Sequence, residues 1–356
     1  VSSPTDVPVD GTARTSPWRI ALRVVLVVAA LVLSATVLAT AFEELDPDAI
    51  VDALASLGDA ELLALGAMWG LWLAAQGLQT AALVPRLPVR QGVLAFVAPA
   101  AVASIVPGPS DLPVRYRMLT SWGLGGGEAT VAVAAGGVFS IGIKLVLPVV
   151  AAIGLLLSDS PVEGAMVSVV AAALVIGALA GAFAVVFSSE ARTQRIGRVL
   201  DPLWRAGLRL LRRPEREELG GRLVAARARA VHALRERWLI ATWGTLLAAG
   251  ARFALLLLAV RFCGVPSGEL GWPQVFVAFA LQQGLTVIPI TAGEAGVSEV
   301  ALIALLTAAT GPDRVNEVTA GVIVYRLLTW LLIMPLGLVT LALWRRVVRR
   351  EAVGVG

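Results

Sequence analysis

Residues 288–299 read IPITAGEAGVSE, in the middle of some of the most apolar sequence in the chain. The stretch holds two carboxylates, Glu294 and Glu299, with Pro289 ahead of them and Gly293 and Gly296 on either side of the first. Proline lacks the amide donor that a helix interior needs and clashes with the preceding turn. Glycine takes up backbone conformations that other residues resist. The flanks, 272–289 and 297–310, are apolar runs too short to cross a bilayer comfortably, and 318–344 beyond them is long enough. The stretch therefore reads as an acidic break between helical limbs.

Composition says what surrounds that break. Of 356 residues, 58% are hydrophobic and 15% charged, and mean hydropathy is +0.83. A water-soluble domain carries about a quarter charged residues, so this is the composition of a polytopic membrane protein. The single cysteine, Cys263, excludes an internal disulfide. With one histidine, His232, in a basic polar segment, no His-ligated zinc centre or Ser-His-Asp triad can be assembled from this chain. The reading at this point is of a protein without enzymatic activity, cofactor or metal.

Working outward, residues 1–17 are a polar, proline-containing tail, and 18–60 hold a first span and an acidic loop. Residues 61–157 form a first unit with a break near 107–113, where PGPSDLP places three prolines in seven residues. A linking span fills 158–189. Residues 190–237 follow, with 13 arginines against six acids, several alternating with apolar residues at helical spacing. Such a segment suits anionic lipid headgroups at the cytoplasmic face, and the same charges need no nucleic acid to explain them. Residues 238–346 form a second unit with its break near 289–296, and 347–356 are a basic tail. Arginine-rich loops lie inside by the positive-inside rule, which puts both termini in the cytoplasm. With 28 arginines and one lysine, the usage suits a GC-rich bacterial genome, hence a bacterial plasma membrane.

The two breaks fall into one register. Pro107 lies 37 residues before Lys144, and Pro289 lies 37 before Arg326. Pro148 and Pro335 follow in the same long spans. The pattern predicts an all-α architecture of about six full spans plus two broken or re-entrant hairpins, related as inverted repeats. Pro107, Pro109, Pro289, Gly293 and Gly296 would shape the hairpin backbones. Ordinary interfacial loops between tilted spans are the alternative.

Lys144 and Arg326 fall inside spans, where a cation costs about 3 kcal/mol at the bilayer centre. Three explanations stand side by side. They contact an anionic headgroup, form structural ion pairs with Glu128, Glu294 or Glu299, or snorkel to an interface. Arg115 and Arg117 in the first break could grip a headgroup or serve as cytoplasmic interfacial anchors, the anchor being the better reading of Arg117, and Asp111 could pair with Arg115. Arg252, Gln282 and Gln283 read as polar glue between helices.

With these residues in view, ITAGEAGVSEVALIALL followed by VYRLLTWLLIMPLG resembles the C-terminal signature of the lysylphosphatidylglycerol synthase transmembrane region, a flippase-like family. Gly293, Gly296, Val297, Glu299, Arg326, Pro335 and Gly337 match it. Glu294 stands where a glycine is expected, Ser298 at an often basic position, and Ser110 where a glycine usually precedes the acid. The resemblance implies movement of lipids or lipid-linked molecules between leaflets. It extends to the membrane region and not to the aminoacyl-transferase domain of the best-known members. Lys144, Arg326, Glu299, Glu294, Arg115 and Asp111 are then the candidate substrate contacts, and membrane lipids the partners, with a homo-oligomer or a separate lipid-modifying enzyme as further partners. A proton-coupled transporter of a small solute and a non-transporting partner of a lipid-modifying enzyme are the rival readings.

Overall fold

The computed structural model describes residues 55, 57–84, 87–106, 110–156, 177, 237–287 and 292–353. The N-terminal tail and first span, the linking span except for Gly177, the arginine-rich segment before Arg237, and Pro107, Pro109 and Pro289 lie outside them. What is described is helical. α1 (Asp59–Leu83), α2 (Val89–Ile105), α3 (Asp111–Ser121) and α4 (Gly126–Leu156) form the first unit. α5 (Trp238–Phe262), α6 (Trp272–Leu285), α7 (Val297–Thr310), α8 (Val315–Arg326) and α9 (Ile333–Val353) form the second. A 3₁₀ turn, Ala292–Glu294, occupies the second break, and another, Pro312–Arg314, leads into α8.

Among the described residues, four helical stretches are long and apolar enough to cross a membrane: Asp59–Leu83, Gly126–Leu155, Trp238–Phe262 and Pro312–Val348. They correspond to four of the six spans read from the sequence; the other two fall outside the described residues. The protein is a multi-pass helical membrane protein. At 1.5 Å per residue, the 17 residues of α2 extend about 25 Å and the 14 of α6 or α7 about 21 Å, short of a hydrocarbon core about 30 Å thick. The last span is not one continuous α-helix. Leu327–Leu331 form a π turn, in which the Leu332 amide reaches back to the Leu327 carbonyl at 2.8 Å. Trp69 of α1 donates to the Leu328 carbonyl in that turn at 2.8 Å. A π turn inside a helix recurs at functional sites, and this one follows Arg326 directly.

Both units run in one order: a 25-residue helix, a short helix, a break, a short helix and a long apolar stretch. The packing is reciprocal. α1 lies against α5, while α2 is covered by α9 and α6 by α4. The first limb of each hairpin thus sits on the last helix of the other unit.

Lipid supplies no hydrophobic drive between helices, so close approach over small residues must hold them together. A Cβ on Gly92 would strike the Gly77 carbonyl, joining α1 to α2 backbone to backbone. One on Gly244 would lie 2.9 Å from the Gln79 amide nitrogen, and one on Gly321 would lie 2.7 Å from Val260 Cα. Gln79 adds a buried hydrogen bond to Thr245 across the α1–α5 contact, at 2.9 Å. The core is densest where α5 to α8 meet, around the fully buried Leu255, Leu256, Phe279, Leu302, Leu306 and Tyr325. Leu62, Leu63, Trp243, Val339 and Leu343 point outward, as side chains facing acyl tails do. Trp238 and Trp272, both exposed, open α5 and α6, and tryptophan favours such membrane–water boundaries.

The α5–α6 loop and the turn before α8 are tied by Arg314, whose Nε and Nη2 donate to the two Glu269 carboxylate oxygens at 2.8 and 2.9 Å. Its Nη1 donates to Glu317 at 3.1 Å. The hydrogen bond from Arg314 holds the Glu269 carboxyl below its ordinary value. A carboxylate whose pKa falls on folding stabilises the native state above its unfolded value, and that contribution disappears as pH drops through the folded value. The thermal midpoint is therefore expected to fall slightly below about pH 4 in the wild type, and Glu269→Gln should flatten that part of a melting-temperature profile in detergent. The effect is small because the pair faces solvent. An identical acid limb in Glu269→Gln would show that the bridge contributes nothing.

Candidate functional site

The second break gathers charge from three helices. Backbone conformation sets it up: Gly293 has φ +61° and Gly296 φ +81°. Between them Glu294 takes φ +64°, the one non-glycine residue with positive φ among those described. A side chain in this region costs on the order of 1 kcal/mol, so the surroundings must hold it there. At Gly293 a side chain is excluded on a second ground, because a Cβ would strike Trp330 Nε1.

Lys144, midway along α4, reaches across to the other unit. Its Nζ donates to the Thr286 carbonyl at 3.0 Å, to Thr286 Oγ1 at 3.1 Å and to Glu294 Oε1 at 2.5 Å. This ion pair is half-buried, with 20% and 22% of the two side chains exposed. Arg326, at the end of α8, is committed more deeply. Its Nε donates to Glu299 Oε1 at 2.6 Å and its Nη2 to the Gly293 carbonyl at 3.0 Å. Only 7% and 6% of the Arg326 and Glu299 side chains are exposed. The guanidinium stands 5.2 Å from the centre of the Trp330 ring. Arg326 therefore does two things: it neutralises a buried acid, and it satisfies a backbone carbonyl that the break releases from helical bonding.

Of the acids weighed as partners for Lys144, the structure selects Glu294. Glu299 pairs with Arg326, and Glu128 instead accepts the Gly125 amide at 3.2 Å, capping α4. In the first break, Arg115 Nη2 lies 3.7 Å from Asp111 Oδ2, and Arg115 Nε is buried without a hydrogen-bond partner. Neither Arg115 nor Asp111 joins the cluster around Glu294. Gln282 links the two limbs of the second hairpin by donating to Ser298 at 2.9 Å.

Part of the environment of Arg252 fits the role of helix glue. Its Nε donates to the Tyr325 hydroxyl at 3.3 Å, and its guanidinium lies 5.8 Å from the Trp72 ring centre and 6.0 Å from that of Tyr325. A lone arginine in an apolar run gives no sign of these ring contacts. Thr286 and Trp330 are equally silent in the sequence, since neither carries a charge or a motif. Two indole nitrogens here, Trp72 Nε1 and Trp330 Nε1, and one carboxylate oxygen, Glu299 Oε2, are buried without a partner.

Fold and site together define a helical membrane protein with a charged cluster built at a helix break between two similarly ordered units. The chain belongs to the family of the lysylphosphatidylglycerol synthase TM region, whose model matches residues 27–337. That match runs across both units and the segment joining them. Comparison with the curated proteins finds no match.

Proposed function

We propose that this protein moves a lipid or lipid-linked molecule with an anionic or zwitterionic headgroup between the leaflets of a bacterial plasma membrane, and that it is a transporter rather than an enzyme. The observation that carries this reading is the cluster at the second break. Lys144 pairs with Glu294 and Arg326 with Glu299, and Arg252 on the neighbouring α5 has no ion-pair partner among the described residues, leaving one more cation than acid in a segment flanked by membrane-spanning helices. An unbalanced charge in that setting is costly and marks a path for a polar group. Lipid handling in the family of the lysylphosphatidylglycerol synthase TM region supports the same reading.

On this proposal the two units are inverted repeats and the hairpins enter and leave on one side. The short limbs and the reciprocal packing of α2 on α9 and α6 on α4 support that arrangement. Both termini and the arginine-rich segment lie in the cytoplasm, where the latter meets anionic headgroups. The headgroup passes the break while its tails stay in lipid.

Purified protein in liposomes containing a head-labelled phospholipid or polyprenyl phosphate tests the proposal, with the outer leaflet bleached. Exchange is expected to carry the signal below the share left in the inner leaflet. Lys144→Met should slow that exchange about tenfold or more, which corresponds to roughly 1.4 kcal/mol, while the melting temperature confirms a folded protein. Exchange at the wild-type rate in folded Lys144→Met would remove the cluster from the path. Proton-dependent uptake of a soluble compound, without lipid exchange, would replace the lipid with a solute.

A further inference from the structure

The two hairpins differ in their second limbs. α7 is mostly apolar, with Leu302 and Leu306 fully buried in the core. α3, which stands in the same place in the first unit, reads DLPVRYRMLTS. It buries Met118 and Leu119 and turns Leu112, Tyr116 and Arg117 outward. Ser121 stands one turn beyond Arg117 on the same side of the helix, and its hydroxyl accepts a hydrogen bond from Trp344 Nε1 of α9 at 2.9 Å. The same two helices share a buried cluster through Met118 and Leu341, with Trp122 and Trp344 packed against it. Arg345 and Arg346 follow Trp344 directly and are exposed, as are Leu343 and Val347 on either side of them. The outward face of α3 thus runs into the cationic end of α9. Among the described residues, none of Arg117, Arg345 and Arg346 has a carboxylate within ion-pair distance, and Asp111, the one acid of α3, lies against Arg115. Tyr116, Trp122 and Trp344 bring three amphipathic rings to this part of the fold, and such rings gather at membrane–water boundaries, where headgroup phosphates lie.

We propose that the outward face of α3 and the end of α9 form a docking surface for an anionic phospholipid. Arg117, Arg345 and Arg346 hold its phosphate, and its acyl chains run along Leu112 and Leu343. Charge complementarity names the occupant. Unpaired guanidinium groups beside exposed apolar side chains match a ligand with phosphate at one end and hydrocarbon at the other. Cations scattered over a loop would ask for no particular ligand; here they come from two elements fastened together by the hydrogen bond from Trp344 to Ser121. A lipid seated across both ties the second limb of the first hairpin to the last span. The surface shares no residue with the charged cluster at the second break. Its leaflet follows from the orientation proposed above, but lipid binding itself depends neither on that orientation nor on transport.

Native mass spectrometry of the full chain from a neutral detergent, titrated with dioleoyl phosphatidate or dioleoyl phosphatidylcholine, tests this. Phosphatidate is expected to bind about tenfold more tightly than phosphatidylcholine. The triple variant Arg117→Gln/Arg345→Gln/Arg346→Gln should lose about that factor for phosphatidate and leave phosphatidylcholine unchanged. Melting temperatures in lipid-free detergent report that each variant is folded. Trp344→Phe is the sharper variant, because it keeps every charge and removes only the bond that fastens α9 to α3. It should weaken phosphatidate binding about threefold. Equal binding of the two lipids in the wild type would overturn the proposal. So would a loss in the triple variant with none in Trp344→Phe, which would leave only unspecific positive charge. Displacement of phosphatidate by glycerol 3-phosphate at a matching concentration would identify a free anion as the ligand and overturn the assignment to a lipid. Selective phosphatidate binding with no leaflet exchange in the wild type would keep the surface and remove the transporter. Leaflet exchange together with undiminished phosphatidate binding in the triple variant would do the reverse.

Discussion

Arg326→Ala is expected to destabilise the folded protein by about 3–5 kcal/mol, the loss that follows when one partner of a buried ion pair is removed. The size comes from what is left behind. Glu299 would keep 6% of its side chain exposed with no cation to neutralise it, and its Oε2 already lacks a partner. The Gly293 carbonyl would lose its donor at a point where the backbone is not helical. Arg326→Lys should recover only part of the loss, because one ammonium on a flexible stem cannot hold Glu299 and Gly293 together in the fixed fork that the guanidinium offers. The double variant Arg326→Met/Glu299→Met should be more stable than Arg326→Ala alone, since it leaves no unpaired charge. Thermal unfolding of the purified variants in one detergent decides the matter. A loss below about 1 kcal/mol in Arg326→Ala, the worth of a surface bridge, would mean that the pair is hydrated rather than buried.

What can be seen in the sequence follows from what local chemistry fixes. Long apolar runs in a chain with only 15% charged residues point to membrane helices, and Pro and Gly punctuation at 107–113 and 289–296 marks where helices cannot continue smoothly. Lys144 and Arg326 stand out because charge inside an apolar run is costly wherever it lies. The choice of partners cannot be read in the same way. Lys144 sits in α4, and nothing along the chain ranks Glu294, 150 residues away, above Glu128, 16 residues away. Only the packing of α6 on α4 brings Thr286 and Glu294 to it. Arg252 looks like mere helix glue in the sequence for a related reason. Its ring neighbours, Trp72 and Tyr325, come from α1 and α8, so no window of sequence contains its environment. The π turn at Leu327–Leu331 leaves no composition signal at all, because its residues would serve equally well in an α-helix. Glycines at helix crossings are hidden by abundance, since 35 glycines occur and many of them face open space or make ordinary contacts.

That last distinction yields the second large effect. Gly92→Val is expected to cost about 3 kcal/mol or more, at the top of the range for overpacking, because the atoms in the way belong to backbone. A Cβ there would collide with the Gly77 carbonyl oxygen and lie 3.0 Å from the Gly77 carbonyl carbon. The opposite face is no more forgiving: a Cβ on Gly77 would come within 2.5 Å of Val93 Cγ2 and 2.8 Å of the Val89 carbonyl oxygen. A flexible side chain could move aside, but here α1 and α2 would have to separate. Any separation is transmitted, since α1 also rests on α5 through Gly244, and α2 on α9 through Gly337. α9 carries on from the π turn after Arg326, so a shift at Gly92 should reach the charged cluster and slow leaflet exchange beyond what lost stability explains. Gly70 on α1 supplies the comparison, with nothing within 4 Å of the place a methyl group would take. Gly70→Ala should leave the melting temperature unchanged or raise it, by up to about 1 kcal/mol of helix propensity, whereas Gly92→Ala should lower it. Equal melting temperatures for the two alanine variants would mean that α1 and α2 do not meet backbone to backbone, and the path from this crossing to Arg326 would go with it.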